Sequence, residues 1–171
     1  CGSIAAFKSC ELIRKLKTQK LKVICVMTES AQKFVTPLTM KTLSCQEVHT
    51  DLFATYHPKS KHISLANEAD IIVIAPATAD IIARLSYGFA DDLLTSVVLS
   101  TKAPVLVCPA MNTNMWLNPL TQENVNRLKK VGYYFLGPEK GKLADSEEGI
   151  GRLISIEKIA IKIKNLIKIT A

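Results

Sequence analysis

The sequence predicts a doubly wound α/β fold, Rossmann-like or flavodoxin-like, built on a mostly parallel sheet. Short apolar segments alternate along the chain with longer segments of helical periodicity. Three of the apolar segments are almost free of polar residues, as expected of parallel strands covered on both faces. The 171 residues, 48% hydrophobic and 22% charged, suit one domain with a sizeable core.

The predicted strands are followed by predicted helices in regular alternation. Strands are expected at 21–27, 71–75, 104–108 and 133–136. Helices are expected at 3–18, 30–36, 79–87, 93–99, 119–130 and 156–169. Gly132 follows the fifth helix, where glycine commonly ends a helix. The last helix carries isoleucine and leucine on one face and lysine on the others, which favours a packed terminal helix over a basic helix on a membrane surface.

The start of the chain indicates that a strand of the sheet precedes residue 1. Gly2 and Ser3 resemble a phosphate-cradling turn, and such a turn normally follows a strand. Without that strand, a central position of the sheet would be empty and backbone groups beside it would lack partners. We therefore predict that residues 1–171 form a single domain whose first strand lies upstream of residue 1.

Composition and charge restrict the classes of function. The net charge is +7, but the lysines are scattered and no aromatic residues alternate with them, so a phosphorylated small ligand is favoured over nucleic acid. No apolar run has the ~20 residues of a membrane span, and the start lacks a signal-peptide pattern, which predicts a cytoplasmic protein. The five cysteines have no CxxC spacing, which favours free thiols over disulfides or a metal site.

Hydroxyl side chains occur at three predicted strand ends or turns. Ser3 begins the first helix, Thr28 and Ser30 follow the first strand, and Thr78 follows the second. Each could be an ordinary helix N-cap. Because ligands of open parallel sheets bind at the carboxyl ends of the strands, the repetition favours one shared pocket that binds phosphate.

The end of the third strand carries the most specific motif, Pro-Ala-Met-Asn-Thr-Asn-Met-Trp at 109–116. This segment resembles the PxMNxxMW motif of the flavin-containing cysteine decarboxylases, a family that includes phosphopantothenoylcysteine decarboxylase and lantibiotic-processing enzymes. Further matches follow in family order over nearly the whole chain, at residues 2–6, 62–66, 75–80 and 149–152. The Met-Asn form of the motif is similar to the phosphopantothenoylcysteine branch.

The resemblance implies FMN as the cofactor and assigns residues to two sites. The residues implied for FMN are Gly2, Ser3, Ile4, Thr28, Ser30, Thr78, Ala79, Asp80, Ile81 and Ala110. Asn112 is implied to hold the substrate carboxylate. Lys142 and Ala144 are implied to belong to a flap that folds over the substrate.

His62 is the histidine to which the resemblance assigns a catalytic role. By itself, a histidine at this place is usually a cap or a surface residue. In the family, the matching histidine acts as a base or positioning group near the substrate thiol and the flavin. His49 and His57 match no motif and are interpreted as surface residues.

Asp145 stands where the family has a proton-donating cysteine. A carboxylic acid could replace that cysteine if burial or the neighbouring Glu147 and Glu148 raised its pKa. The alternatives are a solvated acidic loop and a reaction that stops at an enethiol. None of the cysteines lies in this segment, although Cys108 adjoins the motif at 109–116.

The resemblance implies a complete reaction and an assembly. The flavin would oxidise the cysteine side chain to a thioaldehyde, carbon dioxide would leave, and the enethiol would then be reduced and protonated to give 4′-phosphopantetheine. The alternatives are an oxidative decarboxylase of a peptide C-terminal cysteine and a flavin-binding regulatory protein without turnover. Relatives form trimers or dodecamers of trimers, and bacterial relatives are often fused to a synthetase domain.

Overall fold

The computed structural model describes residues 1–53, 60–144 and 148–170, with no side chains described for 168–170. The strands, in chain order, are β1 Cys25–Val26, β2 Val48–His49, β3 Ile72–Ala77, β4 Val105–Pro109, β5 Tyr134–Phe135, β6 Glu139–Lys142 and β7 Glu148–Arg152. The α-helices are α1 Phe7–Thr18, α2 Pro37–Ser44, α3 Lys61–Glu68, α4 Ala79–Ser86, α5 Leu93–Ser100, α6 Thr113–Leu117, α7 Pro119–Lys130 and α8 Ile156–Thr170.

The parallel pairing confirms the predicted fold class. Strands β3, β4 and β5 form a parallel sheet with β4 in the middle, and β1 pairs with β2 in parallel. Strands β6 and β7 form a separate antiparallel ribbon. All four predicted strands exist, although the first and the fourth comprise only two residues each, while β2, β6 and β7 were not predicted.

Strand β4 shows how helices cover both faces of the sheet. Leu106 and Cys108 pack with the apolar faces of α1 and α8, whereas Val105 and Val107 pack with α4, α5 and α7. All four side chains are buried. Since alternate residues of a strand point to opposite faces, this division is the doubly wound arrangement that the apolar segment predicted.

The terminal helix is packed, as predicted. Ile159, Ile163 and Leu166 of α8 are at most 2% exposed and lie in the cluster that contains α1. No helix within 1–53, 60–144 and 148–170 is both long enough and apolar enough to cross a membrane.

The helix predicted at 30–36 is wrong. A short 3₁₀ helix, Glu29–Lys33, occupies this place, and α2 begins only at Pro37. Thr36 is extended, and its hydroxyl accepts a hydrogen bond from the Thr39 amide. Because a residue before proline is disfavoured in helical geometry and proline suits a first helical position, Pro37 separates the two helices.

The predicted strand upstream of residue 1 stays a prediction. In the described part of the chain, β1–β2 and β3–β4–β5 are separate ladders.

Candidate functional site

The ends of β3 and β4 lie side by side. The Ala110 amide, just after β4, donates a 2.9 Å hydrogen bond to the carbonyl of Ala77 at the end of β3. The next residue, Thr78, caps α4 because its Oγ1 accepts the Ile81 amide at 3.3 Å. The residues 78–81 and Ala110, assigned to FMN by the resemblance, therefore occupy adjacent strand ends.

Two more hydroxyls of the predicted cofactor set, those of Ser3 and Thr28, also cap short 3₁₀ helices. Ser3 Oγ accepts the Ala5 amide at 3.2 Å, and Thr28 Oγ1 accepts the Ala31 amide at 3.2 Å. Capping uses the oxygen as an acceptor, so the O–H hydrogen can still be donated to an anion. The capping role and a phosphate-binding role are thus compatible at these positions.

Gly2 brings the first turn against the turn that follows β1. A Cβ added to Gly2 would lie 2.4 Å from Ser30 Cβ and 3.1 Å from the Ser30 carbonyl carbon. Only glycine allows this close approach. The turns that carry Ser3 and Thr28 are therefore neighbours, which fits a shared cradle for a phosphate-bearing cofactor.

The antiparallel ribbon is seated on the loop after β4. The Met111 amide donates a 3.0 Å hydrogen bond to the Gly151 carbonyl. A Cβ on Gly151 would lie 2.1 Å from the Met111 carbonyl oxygen, and one on Gly149 would lie 2.1 Å from Thr113 Oγ1. Two glycines of β7 therefore permit close packing between the ribbon and the motif at 109–116.

Asn112 is oriented by the helix that it begins. Its Oδ1 accepts the Asn114 amide at 2.8 Å, which caps α6. With the oxygen engaged as an acceptor, the amide nitrogen is the end of the side chain that can donate to a carboxylate.

A cavity of ≈ 690 Å³ lies between the first turn, the loop after β4 and the ribbon. It is lined by six of the residues that the resemblance assigned to cofactor or substrate: Ser3, Ile4, Ala110, Asn112, Lys142 and Ala144. The sequence interpretation missed Phe7, Lys8, Met111, Arg152 and Leu153, which also line it. Arg152 and Met111 stand inside motifs matched to the family, so a signal for them was present.

His62 is not among the described residues that line this cavity. It is the second residue of α3, is half-buried, and belongs to a helix that packs on α5. The structure therefore does not bring His62 and Asn112 together around this cavity, and the catalytic role of His62 stays a prediction.

The remaining predicted residues have different outcomes. Asp145 and His57 lie outside the described residues. His49, interpreted as a surface residue, is half-buried in β2, where its carbonyl accepts the Met27 amide at 2.9 Å. Cys108 is fully buried in the core, and burial raises the pKa of its thiol to about 12, so it is not a proton donor at the cavity.

Comparison with known proteins agrees with the doubly wound fold. The model of the Flavoprotein family matches residues 1–168. The coenzyme A biosynthesis bifunctional protein CoaBC of Mycobacterium tuberculosis is 45% identical over 158 residues, which cover 92% of this chain and 38% of the relative. CoaBC of Bacillus subtilis is also 45% identical, over 92% of this chain and 39% of the relative.

Solved structures show the same architecture. A PPC decarboxylase mutant complexed with pantothenoylaminoethenethiol superposes with a TM-score of 0.85 at 31% identity, covering 96% of this chain and 92% of that one. The FMN binding protein AtHal3 has a TM-score of 0.84 at 29% identity, covering 99% and 94%.

The fold and the strand-end site define a flavoprotein-like α/β domain. This chain belongs to the Flavoprotein family. It spans about two fifths of the length of the CoaBC relatives that it matches.

Proposed function

We propose that this chain catalyses the FMN-dependent decarboxylation of 4′-phosphopantothenoylcysteine to 4′-phosphopantetheine, a cytoplasmic step of coenzyme A biosynthesis. The observation that carries the proposal is the cavity itself, which joins Ser3, Ile4 and Ala110 to Asn112, Lys142 and Ala144. The similarity to CoaBC and to a PPC decarboxylase structure supports the same reaction.

The chain's residues fit FMN at the strand ends. The close approach of Gly2 to Ser30 forms a cradle that a Cβ would fill, and the hydroxyls of Ser3, Thr28 and Thr78 stand at helix starts, where anions are favoured. When bound, FMN supplies the electron acceptor that allows the substrate carboxylate to leave as carbon dioxide.

Asn112 and the ribbon hold the substrate in this proposal. The Asn112 amide donates to the carboxylate, and its capping bond to Asn114 fixes the orientation. Lys142 supplies positive charge to an anionic substrate, and Ala144 belongs to the flap that excludes water.

His62 acts as the base or positioning group in the proposed reaction. Because His62 does not line the cavity of its own chain, we propose a homo-oligomer, a trimer or a dodecamer of trimers, whose contacts complete the site. Large apolar side chains that are well exposed in the single chain support such contacts, among them Phe53 (85%), Leu38 (72%) and Leu120 (70%). Light scattering after gel filtration would give a monomer mass if this assembly does not form.

Asp145 donates the last proton in the complete reaction. Its replacement by asparagine is expected to yield the enethiol and reduced flavin in place of 4′-phosphopantetheine. Unchanged product and rate in Asp145→Asn would show that the carboxylate has no role.

Because the CoaBC relatives are bifunctional and longer than this chain, we also propose a synthetase as its functional partner.

The test is anaerobic incubation of the yellow protein with 4′-phosphopantothenoylcysteine, following the flavin spectrum and the product mass together. 4′-Phosphopantetheine with oxidised flavin supports the proposal. An enethiol with bleached flavin would indicate oxidative decarboxylation only, and no change would indicate a flavin-binding protein without turnover.

His62→Asn tests the catalytic residue separately. We expect it to abolish carbon dioxide release while flavin binding persists, because the base is lost and the strand-end cradle is untouched. The matched control is His57→Asn, which changes a histidine outside every family motif. Carbon dioxide release by His62→Asn at the control's rate would remove His62 from the mechanism.

A further inference from the structure

Three cations line the cavity, and they come from three separate elements. Lys8 is the second residue of α1, Lys142 ends β6 and Arg152 ends β7. Of the fourteen described residues that line the cavity, these three are charged and none is acidic. We refer to Lys8, Lys142 and Arg152 as the cation cluster.

The described acids of the ribbon do not neutralise the cluster. Glu139 faces Arg152 in the ladder, but its carboxylate is held by Lys158 Nζ at 2.5 Å. Glu148 stands opposite Lys142 in the same ladder without an ion pair of 4 Å or less. Within 1–53, 60–144 and 148–170, all five ion pairs use other cations.

The backbone gives Arg152 room to lie along the ribbon. A Cβ on Gly141, the residue before Lys142, would lie 3.3 Å from Arg152 Cδ and 3.3 Å from one of its guanidinium nitrogens. Arg152 therefore lies across Gly141, beside Lys142, and Lys8 of α1 is half-buried in the lining of the same cavity. The three cations thus reach one cavity from the ribbon and from α1.

Cations that line one cavity repel one another unless an anion lies between them. A guanidinium offers paired N–H donors that match phosphate oxygens, and lysine ammonium groups add point charges. A phosphate monoester carries up to two negative charges and suits such a cluster better than a single carboxylate does.

We propose that Lys8 and Arg152, together with Lys142, form the subsite that binds the phosphate group of the substrate and gives the enzyme its preference for phosphorylated over unphosphorylated pantothenoylcysteine. This assignment rests on the proposed function. The carboxylate end of the same substrate lies at Asn112, so the two anionic ends are held by different groups in one cavity.

The experiment uses the FMN-loaded chain and two ligands, 4′-phosphopantothenoylcysteine and pantothenoylcysteine. Binding is measured anaerobically by calorimetry, and turnover by carbon dioxide release. Lys8→Gln and Arg152→Gln are each expected to reduce the preference for the phosphorylated ligand about tenfold, mainly through KM, with flavin content unchanged. Arg152→Lys should restore part of the preference, because the charge is kept and the paired donors are lost.

The matched control is Lys140→Gln, which removes an exposed cation from the same ribbon outside the cavity lining and should leave the preference unchanged. The unaltered chain could bind the phosphorylated ligand preferentially without turning it over, while both variants lose that preference. This result would refute the proposed reaction and keep the subsite. Equal losses for both ligands, an unchanged preference, or loss of flavin from the variants would overturn the subsite.

Discussion

Replacing Gly151 by alanine should separate the ribbon from the loop that carries Asn112. The added Cβ would lie 2.1 Å from the Met111 carbonyl oxygen, 3.2 Å from its carbonyl carbon and 3.4 Å from the Asn112 carbonyl carbon. All three atoms are backbone, so no side-chain rotation relieves the contact.

The magnitude follows from the displacement that the contact requires. Strand β7 must move by about 1 Å to clear the Met111 carbonyl, and this movement stretches the 3.0 Å hydrogen bond from the Met111 amide to Gly151. Loss of that bond costs about 1 kcal/mol, and the overpacking adds roughly 1–3 kcal/mol. We expect Gly151→Ala to lower the free energy of unfolding by about 2–4 kcal/mol. If the ribbon detaches while the rest of the chain stays folded, we expect a higher KM for the proposed substrate.

Urea denaturation and amide hydrogen exchange at Met111 measure the two effects. The matched control is Gly141→Ala on the facing strand, where the added Cβ meets only the flexible Arg152 side chain at 3.3 Å. The control should change the stability by less than about 0.5 kcal/mol. Equal denaturation midpoints and equal Met111 protection in the two variants would refute the reasoning.

Two further predictions concern the scaffold. Asp92→Ala should lower the free energy of unfolding by roughly 1–2 kcal/mol in urea denaturation, because Asp92 forms the capping box of α5 and pairs with the half-buried Arg84. Asp91→Ala removes only the more exposed partner of Arg84 and should lower it by less. Equal losses in the two variants would contradict the capping argument. At pH 8, iodoacetamide should modify the exposed Cys45 in the native protein and Cys108 only after unfolding. The reason is that burial raises the pKa of the Cys108 thiol to about 12, so that it stays protonated and unreactive. Early modification of Cys108, detected by peptide mass spectrometry, would contradict its burial.

The parallel core of the fold was predictable because its strands are read directly from apolar runs. The segment 104–108 is continuously apolar after its first proline, and it becomes β4, with Leu106 and Val107 fully buried on opposite faces. The ribbon was not predictable in the same way. Residues 139–142, Glu-Lys-Gly-Lys, carry no apolar alternation, since β6 is held by pairing with β7 and not by burial of its side chains.

From the sequence alone, the alternation of apolar and helical segments determined the fold class. The motif at 109–116 and the family order of the other motifs indicated the family and the residues to test. Tertiary structure decided which of them share a cavity: Asn112 and Lys142 line it together with Lys8 and Arg152, whereas His62, on α3, does not. The physical reason is that sequence spacing reports periodicity along one element, while a cavity depends on close approaches between elements. The contact of Gly151 with Met111 is such an approach, and no local pattern encodes it.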